Sequence, residues 1–238
     1  MRKLLSLTFL LFLLAFSTHA QQVNSFFDEA DALFGKYVEN GRVNYAAIAR
    51  GSEMDRVIEL LASTDVSSQD AATQKAFYIN AYNLLVIHAV AERLPVESVL
   101  KVEGFFNRLQ YRVAGEMLTL DQIEKEKLLK TYGDPRFHFV VVCGAVDCPP
   151  ITNFAYRPEK LEAQLRQQTR RALNDANFIR VNRSTHQVQL SQIFEWYASD
   201  FGGSKASALA FINRYRENPI PADYNIGFYR YDWSLNGR

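Results

Sequence analysis

Cysteine is the most reactive side chain available to this protein, and the sequence holds two, Cys143 and Cys148, in the single run Cys143-Gly144-Ala145-Val146-Asp147-Cys148-Pro149-Pro150. Four intervening residues, one of them glycine, let the sulfurs meet, so a Cys143–Cys148 bridge is the favoured state in an oxidising compartment. On the loop-entropy account so small a ring contributes roughly 2 kcal/mol. Three other uses stay open. Cys143 can be the nucleophile of a thiol enzyme, because the glycine after it lets backbone amides approach a substrate oxygen. The bridge can be a redox couple, although thiol oxidoreductases usually space their cysteines more tightly. Zinc held by both cysteines and two histidines is weaker still, since the spacing fits no common structural site.

A thiol nucleophile needs a base, and beyond His19 the histidines are His88, His138 and His186. His138 is nearest in sequence. On an extended strand, however, five residues at roughly 3.3 Å each place it about 16 Å from Cys143 and on the opposite face. His88, near the end of a buried helix, is the better-placed candidate, and His186 falls in a solvated turn. Among carboxylates, Glu124, Asp147, Asp200 and Asp232 lie beside aromatic or apolar residues, where a pKa can rise. Capping and turn bonding is the commoner duty for Asp200 and Asp232. Trp196, Tyr197, Tyr229, Tyr231 and Trp233 crowd the end of the sequence. Such rings are more often core than a carbohydrate platform.

These residues need elements to position them. Phe137 to Cys143 is an apolar, β-branched and aromatic run, which predicts a buried strand delivering Cys143 to a loop at a sheet edge. Ala71 to Arg93 predicts the strongest helix, apolar on nearly every face around Phe77 to His88. Buried amides must be hydrogen-bonded, so Asn80 and Asn83 either tie down neighbouring loops or, with Tyr82 nearby, point into a polar cavity. Further helices are predicted over 25–38, 46–62, 158–174 and 206–215, with another after Ser191 that Asp200-Phe201-Gly202 closes. Thr119 and Gln122 spell a capping box for a helix to about Lys130. A hairpin is predicted within Gly104 to Leu118, strands over 178–182 and 187–190, and a last aromatic strand over 226–233. No βα repeat runs through this order. The prediction is a single α+β domain, its sheet mostly antiparallel and flanked by helices.

Arg2 and Lys3, the apolar Leu4 to Phe16 and the small-residue site Thr18-His19-Ala20 read as a signal peptide over residues 1–20. The expectation is an exported protein, periplasmic or secreted, with residues 21–238 as the domain and no membrane span in the mature chain. Of 27 basic residues Arg2 and Lys3 leave with the signal, so 25 remain against 26 acidic ones, a formal charge near −1. Nothing in that balance suggests a nucleic-acid footprint.

Three stretches together carry a resemblance: Phe77-Tyr78-Ile79-Asn80-Ala81-Tyr82-Asn83, His138 to Pro149, and Tyr231-Asp232-Trp233-Ser234-Leu235-Asn236. The sequence from about Gly41 onward resembles the bacterial and plant family catalogued as domain of unknown function 547. It departs at Lys125, where members often place a histidine after the Ile-Glu that Ile123-Glu124 matches. The resemblance implies a domain boundary and no mechanism. The favoured function is a periplasmic binding or assembly module stapled by its disulfide, with a peptide or small molecule as the ligand class and no cofactor or metal. The alternative is a hydrolase or transferase acting on an amide or ester through Cys143. A long helix on a sheet also allows a fold-level analogy to papain-like and transglutaminase-like enzymes, although the cysteine those enzymes place at that helix's start is absent.

Overall fold

The computed structural model describes residues 21–238, so the signal-peptide reading of residues 1–20 lies outside the described residues. Helix α1 (21–37) leads into a two-stranded ribbon, β1 (Val38–Glu39) and β2 (Arg42–Val43), then the short α2 (Tyr45–Ile48) and α3 (Glu53–Ser63). The helical run expected over 46–62 is thus broken at Gly51. α4 (Ala71–Ala91) follows, started by Asp70, whose carboxylate accepts the Thr73 amide at 2.7 Å. Its residues from Ala76 to Ile87 are all buried. With no polar face to present to water, α4 must be wrapped by the rest of the chain, and it forms the centre of the apolar core.

A hairpin of β3 (Tyr111–Val113) and β4 (Glu116–Leu118) leads to α5 (Leu120–Gln122), whose capping box is formed by Thr119 and Gln122. That helix runs on as a wider π-helical coil over Ile123–Lys130, which buries Glu124 toward α4. α6 (Leu161–Asn174) follows a 3₁₀ turn at Pro158–Lys160. A three-stranded sheet then forms from β5 (Ile179–Asn182), β6 (Gln187–Leu190) and β7 (Asn225–Phe228), with α7 (Ile193–Trp196) and α8 (Lys205–Asn213) between its last two strands. β5 pairs antiparallel with β6, and β7 pairs parallel with it. The fold is a single α+β domain whose other sheets are small antiparallel ribbons.

One strand predicted from sequence is not formed, and another is shorter than predicted. Phe137 to Cys143 begins as a 3₁₀ turn over Pro135–Phe139 and continues as irregular chain. Asp134 starts the turn by accepting the Arg136 amide at 3.0 Å, and Pro135 fixes its first φ. No neighbouring strand pairs with the segment; the side chain of Asn83 takes that place, donating to the Val140 carbonyl and accepting the Val142 amide, both at 2.8 Å. The segment is as buried as expected, but its hydrogen-bond partner is a helix side chain. The last strand likewise stops at Phe228, and the aromatic residues beyond it run as an extended tail that meets the cysteine loop through one isolated bridge, Ala145 to Leu235.

Candidate functional site

Cys143 and Cys148 are joined in a disulfide, their Cα atoms 6.3 Å apart. The loop between them turns at Gly144, where φ is +84° and an added Cβ would sit 3.3 Å from Val86 Cγ1 and 3.5 Å from the Tyr45 hydroxyl. Both the left-handed backbone and the crowding favour glycine. The C-terminal tail clamps the loop along its length: Val146 N–H donates to Ser234 O at 2.8 Å, Asn236 N–H to Gly144 O at 2.9 Å, and Asp232 N–H to the Asp147 carboxylate at 2.7 Å. The clamp is itself anchored, because the Tyr45 hydroxyl donates to Asn236 Oδ1 at 2.7 Å.

Over the disulfide stands an aromatic wall. Tyr231 directs its hydroxyl at Cys148 Sγ, 3.1 Å away. Its ring packs against Trp196 and Trp233 with centroids 5.0 and 4.8 Å off, and the two indoles stack at 5.7 Å. Phe105 and Phe106, with Val99 and Leu100, continue the lining, and the Phe106 ring meets Trp233 edge-on with centroids 6.4 Å apart. Together these residues line a cavity of about 470 Å³ that both cysteines also border.

In the wall of the same cavity are Glu124 and His138, with Tyr82 and Tyr197 beside them, and Asp200, an exposed residue outside the lining, bonds His138 to complete an acid–base cluster. His138 is only 3 % exposed, and its Nε2 lies 2.8 Å from Asp200 Oδ2. In the tautomer that makes this bond, Nε2–H donates and Nδ1 keeps its lone pair. Nδ1 faces Glu124 Oε1 at 3.9 Å. Burial pushes the Glu124 carboxyl above its ordinary range, against the hydrogen bonds of Tyr197 and Tyr82 that favour its ionised form. Burial also pulls the His138 imidazole down, opposed by Asp200. Both shifts favour the uncharged forms, as a poorly hydrated site requires. The hydroxyls of Tyr82, Tyr197 and Tyr231 are likewise raised by burial and stay protonated. Because Glu124 and Asp200 approach opposite ring nitrogens of His138, the cluster does not converge on a point, and among the described residues no His, Cys, Asp or Glu grouping fits a metal ion.

The candidate residues from the sequence fall into several places. Cys143, Cys148, Tyr82, Glu124 and His138 share the cavity wall, and Asp200 touches it through His138. Asn80 and Asn83 are buried beneath: Asn80 donates to Tyr156 O at 2.8 Å and accepts the Tyr156 amide at 2.9 Å, as Asn83 does with Val140 and Val142. His88 is elsewhere, 3.3 Å from Glu92 and edge-on to Tyr111, with its pKa lowered by burial. Asp147 and Asp232 serve the loop clamp. Lys125 pairs with Asp121 at 2.7 Å on the outer side of the helix that carries Glu124. The parity argument that separated His138 from Cys143 assumed a strand; the 3₁₀ turn removes it, and both residues line one cavity. The wall formed by Val99 to Asn107 was not anticipated. Its signal was Gly104 followed by Phe105-Phe106, a turn residue before paired rings.

The protein is thus an α+β domain whose disulfide and buried acid–base cluster share an aromatic cavity. Residues 66–173 match the model of a family described as protein of unknown function, DUF547, which supports the resemblance carried by the sequence motifs. The match spans α4, Glu124, His138 and both cysteines; Trp196, Asp200, Tyr231 and Trp233 lie beyond it. No curated protein and no solved structure matches the chain.

Proposed function

We propose that the protein is an exported binding module whose disulfide-stapled cavity takes a small molecule or a peptide side chain with a flat apolar portion and a polar group. The cavity carries this reading: about 470 Å³ lined by aromatic rings, with a buried carboxyl and imidazole in its wall, is the form of a small-ligand site. The rings supply contact area, and Glu124 with His138 supplies the orienting hydrogen bonds. Trp196 is 45 % exposed at the cavity rim, so its replacement tests binding with little risk to the fold. The uncharged probe N-phenyl-1-naphthylamine should fluoresce on the folded protein and lose most of that signal with Trp196→Ala. Equal signals from both proteins would remove the cavity as the binding site. Export is tested by cell fractionation with N-terminal sequencing, where a mature start near Gln21 is expected.

One observation favours a second reading, a thiol hydrolase or transferase with Cys143 as nucleophile: Cys143 and His138 line one cavity. It requires the bridge to open first. Iodoacetamide labelling of Cys143 in protein isolated without reductant is its mark, and an intact mass two hydrogens below the free-thiol value excludes it.

A further inference from the structure

The bridged loop has little need of its bridge. Besides the three clamping bonds from the tail, Cys148 N–H donates to Ala145 O at 3.3 Å and Asp147 N–H to Asp232 O at 3.3 Å, and Gly144 is enclosed by Val86, Val99 and Tyr45. The sulfur–sulfur bond restrains a segment that backbone bonds already hold, yet it forms part of the cavity wall.

The two sulfurs are not equivalent. Cys148 Sγ is buried and gathers two donors, the Cys143 amide at 3.0 Å and the Tyr231 hydroxyl at 3.1 Å. Cys143 is half-buried, and its sulfur has only the longer 3.4 Å contact with the same hydroxyl. Donors on a sulfur stabilise it as a thiolate, so Cys148 is equipped to leave and Cys143 to be attacked. Tyr231 is held for this role by its backbone amide, bonded to Gln192 Oε1 at 2.9 Å, and by the flanking indoles. The cavity is lined largely by rings, and its carboxylates are already engaged, Glu103 with Arg108, Asp121 with Lys125 and Glu124 with tyrosine hydroxyls. The lining therefore suits uncharged aromatic thiols.

We propose that the Cys143–Cys148 bridge is a redox-active disulfide that oxidises dithiols flanked by uncharged aromatic groups, docked in the aromatic cavity. This rests on the cavity being a binding site. In the first step a substrate sulfur forms a bond to Cys143 Sγ, the Cys143–Cys148 bond breaks, and the proton of the attacking thiol ends on Cys148. In the second, the other substrate thiol attacks its own sulfur in the mixed disulfide. The substrate leaves as a disulfide, and Cys143 takes the second proton. Two electrons and two protons have passed to the protein, and a small-molecule disulfide returns it to the bridged form by the reverse steps.

The test uses the oxidised full-length domain and a synthetic peptide with two cysteines between tyrosines and uncharged ends. Cys148→Ser, given the peptide in its disulfide form, should capture it on Cys143 by displacing one peptide sulfur as a thiol, read as a mixed-disulfide mass. In the wild type the bridge should open while the protein stays folded, about tenfold more slowly with Tyr231→Phe, a factor equal to ~1.4 kcal/mol. Replacing the tyrosines of the peptide by glutamates should slow the reaction as well. If Cys148→Ser does not fold, the wild-type and Tyr231→Phe rates decide alone. A bridge that opens only on unfolding, or a Tyr231→Phe rate equal to wild type, overturns the proposal. Should the bridge stay closed while N-phenyl-1-naphthylamine still binds in a Trp196-dependent way, exchange fails and the binding module stands. Loss of both removes the binding module too.

Discussion

Polar groups are buried in two regions of this protein, and they are satisfied in different ways. Within α4, Asn80 and Asn83 each give a donor and an acceptor to backbone groups of crossing segments, and every bond is 2.8–2.9 Å. At the cavity, His138 bonds to the outlying Asp200 carboxylate and Glu124 to tyrosine hydroxyls, and the two buried groups border open space. The amides substitute for strand pairing where the sheet does not reach. The acid–base groups retain capacity that no part of the chain uses. Burial alone does not mark a functional group; what matters is whether its partners are backbone, as with Asn83, or other titratable side chains, as with His138.

If that contrast holds, Asn83→Leu should have the largest effect on stability. It strands the Val140 carbonyl and the Val142 amide, each costing about 1–3 kcal/mol when left unpaired. Urea denaturation checks it, and an unchanged midpoint would show that the segment carries its own bonds. Cys143→Ser and Cys148→Ser should cost equally and less than the roughly 2 kcal/mol of the loop-entropy account, because the tail already holds the loop. A larger loss would make the bridge structural after all.

The cavity groups should reveal themselves through pH. His138 is held below its ordinary value, so its contribution is complete above the unfolded pKa of about 6.5 and is lost as pH falls through the depressed folded value. Glu124 is raised, so its contribution is complete below the unfolded value of about 4.3 and is lost as pH climbs through the raised one. Thermal melts across pH should lose the acid-side slope in His138→Gln and the neutral-side slope in Glu124→Gln, each displaced pKa unit corresponding to ~1.4 kcal/mol. Asn80→Asp, by contrast, should destabilise at every pH above the carboxylate range, because its Tyr156 carbonyl loses a donor. The smallest stability effect belongs to Trp196→Ala, within about 0.5 kcal/mol for a side chain half in solvent, even as probe binding falls.

The sequence was informative where local chemistry decides structure. The apolar run of α4, the Thr119–Gln122 capping box, the 111–118 hairpin and the β5–β6 pair all appear where their residues predict them. The disulfide was legible from spacing. The central strand was misread because Phe137 to Val142 has the composition of a sheet interior, and composition does not reveal that an asparagine far along the chain will provide the hydrogen bonds. The same error separated His138 from Cys143. The Glu124–His138–Asp200 cluster spans three segments whose meeting depends on packing around α4, so only its members, not their association, could be named from the sequence.

The clamp on the cysteine loop also sets an order of assembly. Asn236 N–H reaches Gly144 O, and Val43 N–H reaches Asn236 O at 3.0 Å, so a residue early in the chain and one near 236 meet on either side of the loop. A chain emerging from N- to C-terminus can wrap α4 and bring the cysteines together long before Tyr231 and Trp233 arrive. For that interval the loop lacks its clamp and the sulfurs lack their hydroxyl donor. Oxidation then meets a solvent-open pair, and the enclosed chemistry of the cavity begins only once the tail has closed over it. Removing residues 231–237 should leave a protein that can still form its disulfide but has lost that cavity wall.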